Sequence, residues 1–285
     1  MKVLPRVFSR LCLIVGLLAA GSVLAEDRGV VLTLGDSVAF GYITEDGYAY
    51  VNPTNFIGYP EHLGHLLWLD TVNPACPGEA TTSFLSATGA DNGCRAFKAN
   101  FPLHVSYNGA ATQLAFATSF LNKDRRGVRL VTLQLGANDG FLLEDACLGD
   151  PSCIEAGLPA LVAKITTNLE TIIADLRATR YSGPIIVVNY YSTDYSDAAG
   201  TALTAALNSA LAEAASASNV AVADLFGAFQ NAAKAAGGKT CVAGLLNVDP
   251  ANSTLPGATC DVHPSQSGQR LIARTVAQKF LSLRW

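Results

Sequence analysis

Short apolar runs alternate along the chain with longer stretches whose apolar residues recur at helical spacing. Val30-Val31-Leu32-Thr33-Leu34 is β-rich, ends at Gly35 and reads as a buried strand. Pro60 to Leu69 carries a helical pattern, followed by the short run Thr71-Val72. Thr112 to Asn122 is helical, with Leu114, Ala117, Phe120 and Leu121 on one side. Val128 to Leu135 is a second strand, again closed by a glycine, Gly136. Leu158 to Thr179 is a long amphipathic helix, and Ile185-Ile186-Val187-Val188 is a strand of the continuously apolar kind found in parallel sheets. An Ala-rich helix over Thr201 to Ala215, a strand over Asn219 to Ala223, a helix after Asp224 and a last helix from Ser265 to Leu283 complete the pattern. Strands alternating with helices predict an α/β fold with a parallel sheet covered on both faces. In such sheets the working residues sit in loops beyond the strand C-termini.

Half of the 285 residues are hydrophobic and 15% are charged, which supplies a large core and excludes a disordered chain. Lys2, Arg6 and Arg10 precede an apolar run of ten, Leu11 to Ala20, and Val23-Leu24-Ala25 offers small residues at a cleavage site. Residues 1–25 therefore read as a signal peptide, removed after Ala25, with 26–285 as a single domain. The apolar run is too short to span a bilayer, and Cys12 lies too early in it to be acylated. The mature chain carries a net charge of −7. With no Lys/Arg stripe, that excludes nucleic acid as a partner and gives no reason to expect an anionic membrane. An exported protein, secreted or periplasmic, without membrane insertion and acting as a monomer is expected. Six cysteines remain outside the leader, an even number that suits an oxidising compartment. They fall in three local pairs, Cys76/Cys94, Cys147/Cys153 and Cys241/Cys260. Six cysteines allow 15 connectivities, of which local pairing closes the least chain. A metal site is disfavoured, since no CxxC or accompanying His cluster occurs.

Four segments carry candidate chemistry. Gly35-Asp36-Ser37 follows the first strand and exposes a hydroxyl on a tight turn. Cys76-Pro77-Gly78-Glu79 follows the second strand, and its glycine lets a backbone N–H approach a ligand. Gly136-Ala137-Asn138-Asp139 follows the third, where Asn138 can aim its amide at an oxyanion. His263-Pro264-Ser265 precedes the last helix and offers a general base. Each alone fits an ordinary turn or helix cap. Together, in this order, they resemble the SGNH hydrolases, the GDSL-type esterase and lipase family, over about Leu32 to Ala273. The extended block Gly35 to Tyr42 and the Cys-Pro-Gly-Glu context are similar to the secreted bacterial branch.

The resemblance implies a flavodoxin-like three-layer α/β/α fold with five parallel strands, and hydrolysis of acyl esters without a cofactor or metal. It implies Ser37 as nucleophile, His263 as base, and Ser37, Gly78 and Asn138 as oxyanion-hole donors. The family places an Asp three residues before the His, but position 260 here is Cys, and the acid is Asp261, two before. In a loop Asp261 can reach the imidazole; in a helical turn the two would point apart. A backbone carbonyl near Cys260 or, more remotely, Asp249 is the alternative orienter. Each cysteine pair would brace a segment bearing a site residue. The substrate is expected to be a small-molecule or lipid ester: a simple ester, a phospholipid or lysophospholipid, or an acetylated glycan. A silent binding module is the reading from another class.

Asp36 and Asp139 read as loop-shaping hydrogen-bonders, and Phe40, Tyr42 and Phe141 as acyl-pocket lining or plain core. His62 and His65 share a helix face without a third metal ligand, and His104 has no partners in the pattern. Gly238-Lys239-Thr240 lacks the first glycine of a phosphate loop, because position 233 is Ala.

Overall fold

The computed structural model describes residues 28–44, 49–248 and 259–283. Residues 1–25, read above as a signal peptide, with Cys12 among them, and Asp249 lie outside the described residues. Five parallel strands form the central sheet in the order β2-β1-β3-β4-β5. They are β1 (Val30–Gly35), β2 (Asp70–Val72), β3 (Val128–Gln134), β4 (Ile185–Val188) and β5 (Ala221–Ala223). β1, β3 and β4 occupy the middle, and their residues Val31, Leu32, Leu34, Leu130, Val131, Leu133 and Ile185 to Val188 are buried. Central position and two covered faces are why these segments are continuously apolar. Two threonines interrupt the run, and both are satisfied. Thr132 Oγ1 donates to Thr33 Oγ1 at 3.0 Å and accepts from the Tyr59 hydroxyl at 3.2 Å.

Helices cover both faces. α2 (Tyr59–Leu67), α9 (Leu225–Ala233) and α10 (Gln266–Ser282) pack on one side. α3 (Thr81–Leu85), α5 (Gln113–Asp124), α7 (Pro151–Ala178) and α8 (Ala198–Ala217) pack on the other. The result is the three-layer α/β/α architecture expected from the sequence. Short helices α1 (Ser37–Phe40), α4 (Cys94–Asn100) and α6 (Ala137–Ala146) lie in the loops above the carboxyl ends of the strands. No helix among the described residues is long and apolar enough to cross a membrane.

Several short elements go beyond the sequence expectation, among them α4 and α6, and two differences bear on the framework of the site. α7 starts at Pro151, nearly two turns before Leu158, and contains Pro159 in its interior. A proline there removes one helical hydrogen bond. The first turns form nonetheless, because Asp150 caps the helix by accepting from the Ser152 N–H at 2.9 Å and Cys153 is tied to Cys147 at the end of α6. The segment before α10 is not a loop but a strand, β7 (Cys260–Pro264), paired antiparallel with β6 (Leu246–Val248). Its apolar alternation is too short to read by pattern alone.

The core should depend on α7 below its first turns and not on the turn that precedes it. Leu169 is fully buried, whereas Leu148, between α6 and α7, is 94% exposed. Leu169→Ala is expected to cost roughly 2–5 kcal/mol of unfolding free energy, and Leu148→Ala less than about 0.5. Urea titration of both variants checks this.

Candidate active site

β1 delivers Gly35, Asp36 and Ser37 to the edge of the sheet, and Ser37 becomes the first residue of α1. Asp36 caps that helix, accepting from the Val38 N–H at 2.9 Å. The first N–H groups of a helix have no intrahelical acceptor, so the Ser37 N–H remains available. Gln113, fully buried at the start of α5, fixes the turn from below. Its Oε1 accepts from the Gly35 N–H at 2.7 Å, and its Nε2 donates to the Gly35 carbonyl at 3.0 Å.

The His263 imidazole arrives from β7. Its Nε2 lies 3.0 Å from Ser37 Oγ, across 226 residues of sequence. Three contacts hold the strand in place. The Tyr191 hydroxyl donates to the Val262 carbonyl at 2.7 Å, the Ser265 N–H donates to the Leu245 carbonyl at 2.9 Å, and Cys241 is bonded to Cys260. The Tyr42 ring packs against the imidazole at 4.8 Å between centroids.

Asp261 and His263 are two apart on a strand, which puts both side chains on the same side. Asp261 Oδ1 lies 3.5 Å from His263 Nδ1 and accepts from the His263 backbone N–H at 2.6 Å. Its Oδ2 accepts from the Thr44 hydroxyl at 3.0 Å. The ring contact is therefore electrostatic and too long for a hydrogen bond, and the buried Nδ1 has no hydrogen-bond partner among the described residues. That includes the carbonyls near Cys260. Burial works against the Asp261 charge, but the bonds and charge of His263 and the Thr44 hydroxyl outweigh it and hold the carboxyl below its ordinary value.

Gly78 has φ +83°, and a Cβ there would lie 2.2 Å from the Asn92 carbonyl oxygen, so only glycine fits. The Cys76–Cys94 disulfide and the Asn92 N–H, which donates to the Gly78 carbonyl at 2.8 Å, pin this turn to α4. Cys76, Glu79 and Cys94 come close together, but the disulfide removes both sulfurs as metal ligands. Asn138 lies in the first turn of α6. Its Oδ1 accepts from Asn92 Nδ2 at 2.9 Å, and its Nδ2 donates to the Glu79 carbonyl at 3.0 Å. This network sets the amide orientation and leaves one Nδ2 hydrogen for a ligand. Asp139 accepts from the Thr81 N–H and hydroxyl at 2.8 and 2.7 Å, joining α6 to α3.

Besides Gln113, sequence reasoning missed three participants. Tyr190, just past β4, donates to Asp36 Oδ2 at 2.5 Å. Glu79 is buried and accepts from the Ser83 hydroxyl and from Gln113 Nε2; burial pushes its carboxyl up. Asn92 aligns Asn138. Tyr190 and Asn92 lie in no recognisable motif, whereas Glu79 stands in the Cys-Pro-Gly-Glu segment, where only its position and not its role as a buried acceptor was legible. Of the rings considered, Phe40 is fully buried core, whereas Tyr42 and Phe141 line cavities at the site. His104 Nε2 bonds the Phe40 carbonyl at 2.9 Å, and His62 Nε2 bonds Gln266 at 3.1 Å, so both serve packing.

Two cavities meet at Ser37, Asn138, Phe141, Val262 and His263, one of about 250 Å³ and one of about 570 Å³. A hydroxyl against an imidazole, with amide donors beside it, is equipped for nucleophilic attack on a carbonyl.

The sequence profile of the GDSL-like lipase/acylhydrolase family matches residues 33–271. The chain belongs to this family. With membership comes the class of reaction, hydrolysis of carboxylic esters. Solved structures with the same fold include phospholipase A1 from Streptomyces albidoflavus NA297, with 19% identity, 88% of this chain and 99% of that one covered, and a TM-score of 0.55. A catalytic mutant of an acetylxylan esterase from Geobacillus stearothermophilus is 16% identical over 90% of this chain and 95% of its own, with a TM-score of 0.52. An α/β hydrolase enzyme from the metagenome of Lake Arreo, Spain, is 15% identical over 90% and 97%, also with a TM-score of 0.52. No curated protein sequence matches the chain.

Asp36 is buried beneath the turn that carries Ser37, and desolvation pushes its carboxyl up to about 6 against the opposing hydrogen bonds from Tyr190 and Val38. A carboxyl raised on folding stabilises the fold at pH below its unfolded value of 3.8 and loses that contribution as the pH rises through about 6. Asp36→Asn cannot ionise. Its stability relative to the parent should therefore grow by roughly 2 kcal/mol between pH 4 and pH 8. Urea unfolding at the two pH values reads this; an equal difference at both would contradict it.

Proposed function

We propose that the protein is an exported serine esterase or lipase that works through an acyl-enzyme. The observation that carries this reading is the 3.0 Å contact between Ser37 Oγ and His263 Nε2. His263 takes the Ser37 proton as Oγ attacks the ester carbonyl. The carbonyl oxygen becomes negative and is met by the N–H groups of Ser37 and Gly78 and the free Nδ2 hydrogen of Asn138. The tetrahedral adduct then expels the alcohol, which receives the proton from His263. Water, activated by the same imidazole, attacks the acyl-Ser37 ester, and the carboxylic acid leaves. Asp261 acts as the electrostatic partner of the imidazolium, because its charge lies 3.5 Å from Nδ1. A small closure of that gap on substrate binding would complete a hydrogen bond. The three disulfides support export, as does the leader read in residues 1–25, with 26–285 as one catalytic domain.

Hydrolysis of p-nitrophenyl butyrate tests the assignment. Ser37→Ala and His263→Ala are each expected to lower kcat by about 10⁴-fold or more, and Asn138→Ala by roughly 10²–10³. Asp261→Asn should cost less than His263→Ala. Undiminished turnover by Ser37→Ala would overturn the reading.

A further inference from the structure

The two cavities at Ser37 differ in chemistry. The smaller is a groove between α6, the first half of α7 and the start of α8. Away from the Ser37 end its walls are mainly aliphatic, with Leu143 from α6, Ile154, Leu158 and Leu161 from α7, and Leu203 and Leu207 from α8; Glu144, Thr193 and Thr204 are the polar members of the lining. On α7 these residues form one stripe at helical spacing, while Glu155, Ala156, Pro159 and Ala160 on the other faces are exposed. The stripe is half-buried and outside the fully buried core, which begins only at Ile165. An apolar stripe facing a cavity that opens onto a nucleophile is suited to an apolar part of the substrate.

The groove is also held rigid. Cys147 and Cys153 join the end of α6 to the first turn of α7. The two helices approach closely, since a Cβ on Gly157 would lie 2.7 Å from Leu143 Cδ1. The groove measures about 250 Å³. An apolar cavity of about 150 Å³ takes a six-carbon ring, so this volume matches about eight to ten carbons.

The larger cavity is a wide trough on the other side of Ser37, walled by Asn92, Asn100, Pro77, Gly78, Tyr42 and Phe97. Gly78, proposed to meet the oxyanion, borders this trough and not the groove. An alcohol bearing further hydroxyls finds the amides of Asn92 and Asn100 in the trough, whereas the stripe along α7 that faces the groove offers it only aliphatic carbon. An aliphatic chain gains more in the groove, about 0.8 kcal/mol for each methylene removed from water.

We propose that the groove between α6, α7 and α8 binds the acyl chain, which makes the substrate a medium-chain acyl ester of about eight to ten carbons whose alcohol portion occupies the wider trough. This rests on Ser37 as nucleophile. Attack by Ser37 leaves the chain seated in the groove as acyl-Ser37 and releases the alcohol from the trough; one water then cleaves the acyl-Ser37 ester, which yields the free acid and restores the hydroxyl.

The test is kcat/KM for p-nitrophenyl acetate, butyrate, octanoate and palmitate, with the wild-type enzyme and with Leu158→Trp and Leu203→Trp. Leu203 is 41% exposed, so the second substitution tolerates the added volume even if the first disturbs folding. The wild type is expected to favour octanoate over acetate by about a hundredfold or more, at up to about fourfold per methylene, with no further gain at palmitate. In each folded variant the octanoate-to-acetate ratio is expected to fall at least about thirtyfold, as an indole displaces several methylenes. A wild-type enzyme that prefers acetate, or variants with an unchanged ratio, would overturn the groove assignment. Acetate turnover that depends on Ser37 would persist in that case, whereas failure of the nucleophile assignment would show as Ser37-independent hydrolysis of every ester.

Discussion

A serine hydroxyl is a poor nucleophile until a base sits within hydrogen-bond reach of it, and here that reach is a tertiary achievement. Ser37 belongs to the first strand-to-helix turn and His263 to the last strand, and Oγ meets Nε2 at 3.0 Å. Much of the surrounding architecture serves to fix that meeting. Gln113 clamps the Gly35 peptide on one side, and the Tyr191 hydroxyl and the Cys241–Cys260 bridge restrain β7 on the other. Side chains held by several converging bonds lose less freedom when the substrate arrives, which is how rigid surroundings help a reaction.

The groups proposed as oxyanion donors are prepared in the same way, by chains of bonds ending in buried polar groups. Asn138 is oriented by Asn92 and by the Glu79 carbonyl, Glu79 by Ser83 and Gln113, and Gln113 returns to Gly35. The network thus links three of the four sequence blocks beneath the site. Its cost is two carboxyls, Asp36 and Glu79, whose ionisation burial disfavours. Such groups are retained in a protein interior when they hold geometry that apolar side chains of the same shape would not.

Much of the fold was legible in the sequence, because strands and long helices announce themselves over short windows. Leu32 and Ile186 sit in apolar runs, and the glycines at 35 and 136 mark where two central strands end. The four blocks were legible for the same local reason. What escaped was whatever depends on a partner far away. Tyr190 reads as the end of an apolar strand, yet it bonds an aspartate 154 residues earlier. Asn92 and Gln113 look like ordinary loop and helix residues until the chain folds. Asp261 was ambiguous because its reach to His263 depends on whether residues 260–264 are strand, loop or helix. The strand brings the carboxylate to 3.5 Å from Nδ1, near the ring but short of a hydrogen bond to it.

The claim that Ser37 and His263 work as one unit is tested most directly by labelling with a fluorophosphonate, which bonds only to an activated nucleophile. Mass spectrometry is expected to find one adduct per chain, on the peptide containing Ser37, and His263→Ala should slow its formation by about 10³-fold or more. An adduct on another residue, or labelling of Ser37 at the same rate without the imidazole, would contradict the account.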